Sequence, residues 1–180
     1  MIRTYTSEAI VLARRNYSET DRILSVYSKD KGKIALIAKG VRRTTSKKRG
    51  SIEVFSRIKF SAAKGKSLDI LTEVVSIENY PRIRNNLKKV AVAYFIMESI
   101  GRLTAEGEKN YELYRLLVQN LKSLGKTGRL KMFRERFIYD ALIILGFWPK
   151  NRPLHNPDEV LEEIVEREMS TKRVGKRLIS

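Results

Sequence analysis

At Tyr80-Pro81 the apolar residues of this chain change their spacing, and that change limits the folds open to it. Upstream they alternate with polar residues at a period of two, the repeat of strands with one buried face. Downstream they recur every three to four residues, the repeat of helices. A pattern of one period does not settle into the other structure. The expectation is therefore a two-domain chain, β then α: residues 1–80 in strands, residues 81–180 in helices, with the boundary near residues 78–82.

Five apolar runs divide the first part. Ile10 and Leu12 belong to the first. Asp21 to Ser28 and Lys33 to Lys39 follow, joined by the hairpin turn Lys29-Asp30-Lys31-Gly32. In the fourth run Ile52, Val54, Ile58 and Phe60 face one way; Glu53, Arg57 and Lys59 face the other, with Phe55 on that polar side. The fifth places Leu68, Ile70 and Val74 inward and Asp69 and Glu73 outward, after the turn Ala63-Lys64-Gly65-Lys66. Five short strands in about 80 residues suit a small closed barrel, which has no bare edges.

In the second part Leu87, Val90, Tyr94 and Met97 mark one face of a helix that is apolar almost all round and expected to be central. Leu113, Leu116, Leu117, Leu121 and Leu124 mark another, broken by Gly125-Lys126-Thr127-Gly128. Leu130, Phe133, Phe137, Ala141, Leu142 and Leu145 mark a third, ended by Gly146-Phe147-Trp148-Pro149. Asn156-Pro157-Asp158-Glu159 reads as the cap and first turn of a fourth, whose acids Asp158, Glu159, Glu162, Glu163, Glu166 and Glu168 form a solvated face. A basic tail follows, with Lys172, Arg173, Lys176 and Arg177.

Charge points to the partner. The net charge is +17, and residues 1–80 hold 17 basic against 8 acidic residues, so both halves are basic. Such a surface suits nucleic acid or an anionic membrane. The longest purely apolar run, Val90 to Met97, is too short to span a bilayer, and the first eight residues show no secretory apolar stretch. A soluble cytoplasmic protein is expected, with no membrane partner.

The charge concentrates in Lys39-Gly40-Val41-Arg42-Arg43-Thr44-Thr45-Ser46-Lys47-Lys48-Arg49-Gly50, where six of twelve residues are cationic and none acidic. A segment of this kind is expected to stay out of a core and to lie along a polyanion, its small residues letting backbone N–H groups approach phosphates. Lys29, Lys31 and Lys33 extend it to nine cations over residues 29–49, against the single acid Asp30. Arg57, Lys59, Lys64 and Lys66 could widen the field. Tyr17, Tyr27 and Phe55 are candidate platforms for stacking unpaired bases. The residues expected to contact DNA are Lys31, Lys33, Lys39, Arg42, Arg43, Lys47, Lys48, Arg49, Phe55 and Arg57. Nothing resembles a helix that reads base edges, so binding is expected to follow backbone charge with little sequence preference.

Catalysis has little to draw on. There is no cysteine and one histidine, His155, between Pro153 and Pro157. Ser-His and Cys-His chemistry, a P-loop and a four-ligand zinc site are all unsupported. Glu19 and Asp21 could be imagined as carboxylates for Mg²⁺ in a nuclease; turn formation is the simpler role. No enzymatic activity, cofactor or metal is expected.

Four strings carry a likeness to a known family. They are Glu8-Ala9-Ile10-Val11-Leu12; Tyr17-Ser18-Glu19-Thr20-Asp21-Arg22-Ile23; Gly32-Lys33 followed by Ala38-Lys39-Gly40-Val41-Arg42-Arg43; and Leu142 to Pro149 with Leu145-Gly146-Phe147. In order and spacing the chain resembles, over roughly residues 1–150, the RecO family of bacterial recombination mediators and DNA repair proteins. The resemblance implies an N-terminal oligonucleotide-binding (OB) barrel and a C-terminal helical domain. It implies binding of single- and double-stranded DNA, annealing of complementary strands, and work with RecR and the acidic C-terminal tail of single-stranded-DNA-binding protein (SSB) in loading RecA. It implies a nucleoid-associated role in the response to DNA damage. Many relatives carry a four-cysteine zinc site after the Gly-Phe-x-Pro segment; no cysteine follows Pro149 here. Arg129, Lys131, Phe133, Arg134 and Arg136, on one helix, are the residues assigned to the SSB tail. The alternative class is a basic OB-type RNA-binding or ribosome-associated protein.

Overall fold

The computed structural model describes residues 3–165; the basic tail, Glu166 and Glu168 lie outside the described residues. Its described residues divide into two units, one of residues 3–79 with 104–114, the other of residues 80–103 with 115–165.

Five strands build the first unit: β1 (Thr4–Asn16), β2 (Arg22–Ser28), β3 (Gly32–Ala38), β4 (Arg57–Ala63) and β5 (Asp69–Glu78). They close into a barrel in the order β1-β2-β3-β5-β4. The thirteen residues of β1 make closure possible. Its first half pairs with β4, from Thr4↔Ala63 to Ile10↔Arg57, and its second with β2, from Ala9↔Ser28 to Asn16↔Arg22. All pairings are antiparallel except the short parallel contact of β3 with β5, Leu36↔Asp69 and Ile37↔Ile70. The core is Ala9, Val11, Leu24, Val26, Leu36, Ala38, Val41, Ile52, Ile58, Phe60, Ala62 and Leu71. Alanines set among branched and aromatic side chains fit the limited width of a small barrel.

Two bulges reverse the expected alternation. In β5, Ser61 pairs with Glu73 but Ala62 with Leu71, leaving Thr72 as an extra residue. Leu71 and Val74 therefore share the inner side, and Ile70 and Leu68 do not enter the core as expected. In β1 the extra residue is Leu12, between Val11↔Val26 and Ala13↔Ser25. Ala9 and Val11 point into the barrel ahead of it, and Arg14 comes round to the face of Leu24 behind it.

Phe55 overturns an expectation outright. It is 1% exposed, in a turn ahead of β4 with φ of 57°. Its N–H donates to the Val11 carbonyl (2.8 Å) and Val11 N–H to the Ser56 carbonyl (3.0 Å). Alternation placed Phe55 outside because the fourth run was read as one strand from Ile52. The strand begins only at Arg57, after a 3₁₀ turn at Arg49–Ile52.

The segment 104–114 completes this unit, which a cut at residue 80 does not foresee. Gly107 N–H donates to the Lys33 carbonyl (2.8 Å), the Tyr27 hydroxyl reaches the Asn110 carbonyl (3.5 Å), and the Tyr114 hydroxyl reaches Glu8 (3.1 Å). A β-carbon at Gly32 would stand 2.0 Å from the Glu108 carbonyl oxygen, so only glycine admits the segment. Tyr27 is wholly buried and is no stacking platform.

The second unit contains α1 (Pro81–Arg84), α2 (Leu87–Leu103), most of α3 (Tyr111–Leu124), α4 (Leu130–Ile144) and α5 (Pro157–Val165). The buried residues of α2 are Ala91, Val92, Ala93, Phe95, Ile96, Met97, Ser99 and Ile100; Met97 is inside as expected, whereas Leu87 and Tyr94 are 67% and 41% exposed. An almost uniformly apolar helix gives no face to choose from, so its neighbours decide.

Arg134 of α4 is 6% exposed, ion-paired with Asp158 of α5, its guanidinium 4.8 Å from the centre of the Phe95 ring of α2. It links three helices, and Asp158 is not part of a solvated face. Removing one partner of a buried pair strands the other charge. Asp158→Ala should lower stability by about 3 kcal/mol. Urea unfolding followed by helical circular dichroism checks this.

Candidate nucleic-acid interface

The loop from β3 to β4 is held on the barrel at two points. Val41 and Ile52 are fully buried members of the core. The basic segment does enter a core, through its one aliphatic residue. Successive turns span the interval: Arg43 N–H donates to the Gly40 carbonyl (3.2 Å), Ser46 N–H to Arg43 (3.0 Å) and Ser51 N–H to Lys48 (3.1 Å). These local bonds leave the side chains free to point outward. Lys39, Arg43, Lys47 and Arg49 are exposed. Among the described residues, none of these four nor Lys48 forms an ion pair with a carboxylate.

The turn after β1 clasps the start of this loop. Gly40, at φ of 65°, donates its N–H to Asp21 Oδ1 (2.8 Å). Arg42 N–H donates to the Thr20 carbonyl (2.9 Å), and Arg42 Nη1 to the Ser18 carbonyl (2.6 Å). The Thr20 hydroxyl also donates to Asp21 Oδ1 (3.0 Å). These donors, the Gly40 N–H foremost, hold the Asp21 carboxyl below its ordinary pKa. The clasp is thus intact at neutral pH, and is lost only as acid protonates Asp21 below the usual carboxylate range. It explains the Tyr17–Ile23 string: the turn positions a loop. No group of three or more His, Asp or Glu side chains able to hold a metal occurs among the described residues. Tyr17, 60% exposed in this turn, is the one proposed stacking residue left facing solvent.

The nine cations of residues 29–49 do not form one field. Lys29 and Lys31 precede the seven residues of β3 and Lys39 follows them, so the two groups lie about 20 Å apart along the strand. Lys31 Nζ sits 4.4 Å from the centre of the Tyr5 ring, and Lys33 is bound through its backbone to the 104–114 segment. Arg57 is neutralised: Nη2 pairs with Glu8 (2.6 Å), whose other partner is Tyr114. The pairing, chiefly with Arg57, lowers the pKa of Glu8.

Two residues not counted among the expected DNA contacts lie beside the loop. Arg14 pairs with Glu53 (2.5 Å), and Arg22 Nε donates to Asn16 Oδ1 (3.2 Å). Arg22 was detectable, since it continues the inward parity of Leu24 and Val26. Arg14 was not, because the Leu12 bulge turns it inward.

In the helical unit the five residues assigned to a peptide do not converge. At 100° per residue Lys131 and Arg134 lie on one side of α4 and Arg136 on the other, while Arg129 is the residue ahead of the helix. Arg134 is buried against Asp158; Arg136 is exposed and paired with Asp140 (2.9 Å); Phe133 is half-buried. Arg129 and Lys131 instead line a depression of about 280 Å³ with Lys88, Leu130 and Met132. No helix among the described residues is long and apolar enough to cross a membrane.

Comparison with known proteins gives two adjoining family matches. Residues 1–80 match the model described as Recombination protein O N terminal, and residues 84–151 the model described as Recombination protein O C terminal. Among similar proteins is the DNA repair protein RecO of Pelotomaculum thermopropionicum, 34% identical over 148 residues, covering 82% of this chain and 57% of the relative. The protein of the same name from Desulforudis audaxviator is 33% identical over 151 residues, covering 83% and 59%. That from Moorella thermoacetica is 34% identical over 146 residues, covering 81% and 54%. The chain spans little more than half the length of these relatives.

The clasp makes a measurable prediction. Asp21→Ala removes the acceptor of the Gly40 N–H while Val41 and Ile52 stay anchored. Trypsin should cut after Arg42, Arg43 and Lys47 faster than in wild type, with the melting temperature nearly unchanged. Timed digestion followed by mass spectrometry reads this directly.

Proposed function

The chain belongs to the recombination protein O family, and from that premise we propose that it acts in DNA repair and recombination as a DNA-binding mediator. The observation that carries this reading is the loop 39–50, whose cations have no carboxylate partners among the described residues while Val41 within it and Ile52 just after it hold it on a small barrel. A surface of unpaired cations fixed to a rigid scaffold attracts a polyanion at little ordering cost. The five-stranded closed barrel is of OB type in this reading, and the loop and the Tyr17 turn form its nucleic-acid face. With Phe55 and Tyr27 buried, charge outweighs stacking. Single and double strands should then both bind, with weak sequence preference.

The finer roles are part of the same proposal, and the family likeness supports them. The protein anneals complementary strands and, with RecR, helps RecA load on SSB-coated single strands. It does so as a non-enzyme working at the nucleoid. The SSB tail, acidic and apolar-ended, fits the depression between Lys88, Arg129 and Lys131 better than the full set of five residues assigned to it from sequence, because Arg134 is committed elsewhere.

The test is a salt titration with annealing. If the loop covers about 4–6 phosphates, log K against log salt should slope at about −3 to −4 on single strands. Arg42→Ala with Arg43→Ala should flatten that slope and slow annealing of SSB-coated complementary oligonucleotides. A flat salt response in the wild type, or strong preference for one sequence, would refute the reading.

A further inference from the structure

The inner face of the barrel is apolar until it reaches β2's first residue. Val26 and Leu24 lie in the core, and the next residue on the same side is Arg22. The register Asn16↔Arg22 and Arg14↔Leu24 sets Arg14 and Asn16 beside it. The mouth of the barrel, where Val41 and Ile52 enter, is thus lined by guanidinium groups in place of apolar side chains.

The partners of these groups do not balance them. Arg14 takes Glu53, and Arg42 takes the neutral Ser18 carbonyl. Arg22 takes only the Asn16 amide oxygen, through Nε, and its Nη1 is shielded from solvent with no hydrogen-bond partner. A screened cationic donor without an acceptor is costly. Burial first, then the field of Arg14, Arg49 and Arg42 opposed by Glu53 alone, lowers the pKa of the Arg22 guanidinium, although it remains charged. Four arginines face one carboxylate in a place that strand parity would give to an apolar residue.

We propose that Arg22, with Arg14, Arg42 and Arg49, forms a fixed phosphate site at the barrel mouth that seats one backbone phosphate of a bound nucleic-acid strand. The inference rests on the DNA-binding reading and goes beyond it: it assigns a geometric clamp distinct from the diffuse field of the exposed loop. A planar guanidinium offers paired donors to phosphate oxygens, and a phosphate supplies the acceptor that Arg22 lacks. The clasp of Asp21 on Gly40 holds Arg42 over the same mouth.

Two variants separate this from general charge. Arg22→Gln removes the cation, and Arg22→Lys keeps the charge without the planar fork. In chloride buffer Arg22→Gln should melt at or about 2–4 °C above wild type, since an unsatisfied charged donor has gone. Pyrophosphate, at constant ionic strength, should raise the melting temperature of the wild type and leave that of Arg22→Gln unmoved. Both variants should bind a single-stranded oligonucleotide about tenfold more weakly than wild type. Wild-type oligonucleotide affinity and wild-type pyrophosphate response in both variants would overturn the clamp while leaving the DNA-binding reading standing. A wild type that binds no oligonucleotide, yet is stabilised by pyrophosphate only while Arg22 is present, would overturn the nucleic-acid assignment and identify a site for a free phosphate compound. If Arg22→Gln melts well below wild type and Arg22→Lys restores both stability and affinity, the residue is structural and the clamp fails.

Discussion

The pairing of β1 with two neighbours is the constraint on which the strand unit depends. One strand of thirteen residues gives its first half to β4 and its second to β2. Without that double pairing the five strands would form an open sheet with bare edges. Closure requires the strand to bend, and the bulge at Leu12 supplies the bend. The same bulge exchanges the strand's two faces and carries Arg14 to the inner side. Chemistry at the mouth and closure of the wall thus share one extra residue.

A loop with six cations in twelve residues has no internal attraction to hold it. Like charges repel, and bonds within it are local turns. Its position comes from elsewhere: from two aliphatic side chains driven into the core by the hydrophobic effect, and from one carboxylate of a neighbouring turn that accepts a backbone N–H. The division of labour suits a binding surface. Apolar residues and Asp21 fix the loop, so the exposed cations need not pair with acids to stay in place. Where cations do pair, as Arg57 with Glu8 and Arg134 with Asp158, they serve packing within their own units.

The sequence was most legible where one rule acted alone. Alternation in Ile58 and Phe60, the turn at Lys29–Gly32, and the helical spacing of Leu113, Leu117 and Leu121 all appear in the structure. It misled where two rules met. Phe55 looked exposed because parity was counted through a turn, and a period of two has no meaning across a positive φ. Leu71 was missed because a bulge shifts parity without changing composition. Lys131, Arg134 and Arg136 of α4 looked like one rim in linear order, although helical rotation separates Arg136 from the other two.

By itself the sequence determined the change from strands to helices, the family likeness, the basic character of both halves, and the location of the densest run of cations between β3 and β4. These are properties of composition and local spacing, which need no knowledge of what lies opposite. Only the tertiary structure decided which cations are free and which are paired, that Val41 anchors the basic loop, that residues 104–114 join the strand unit, and that Arg14 and Arg22 meet at one mouth. Each of those depends on residues distant in the chain, brought together by strand register, bulges and helix packing. A charge acquires its role from its partners, and the partners are chosen by the fold.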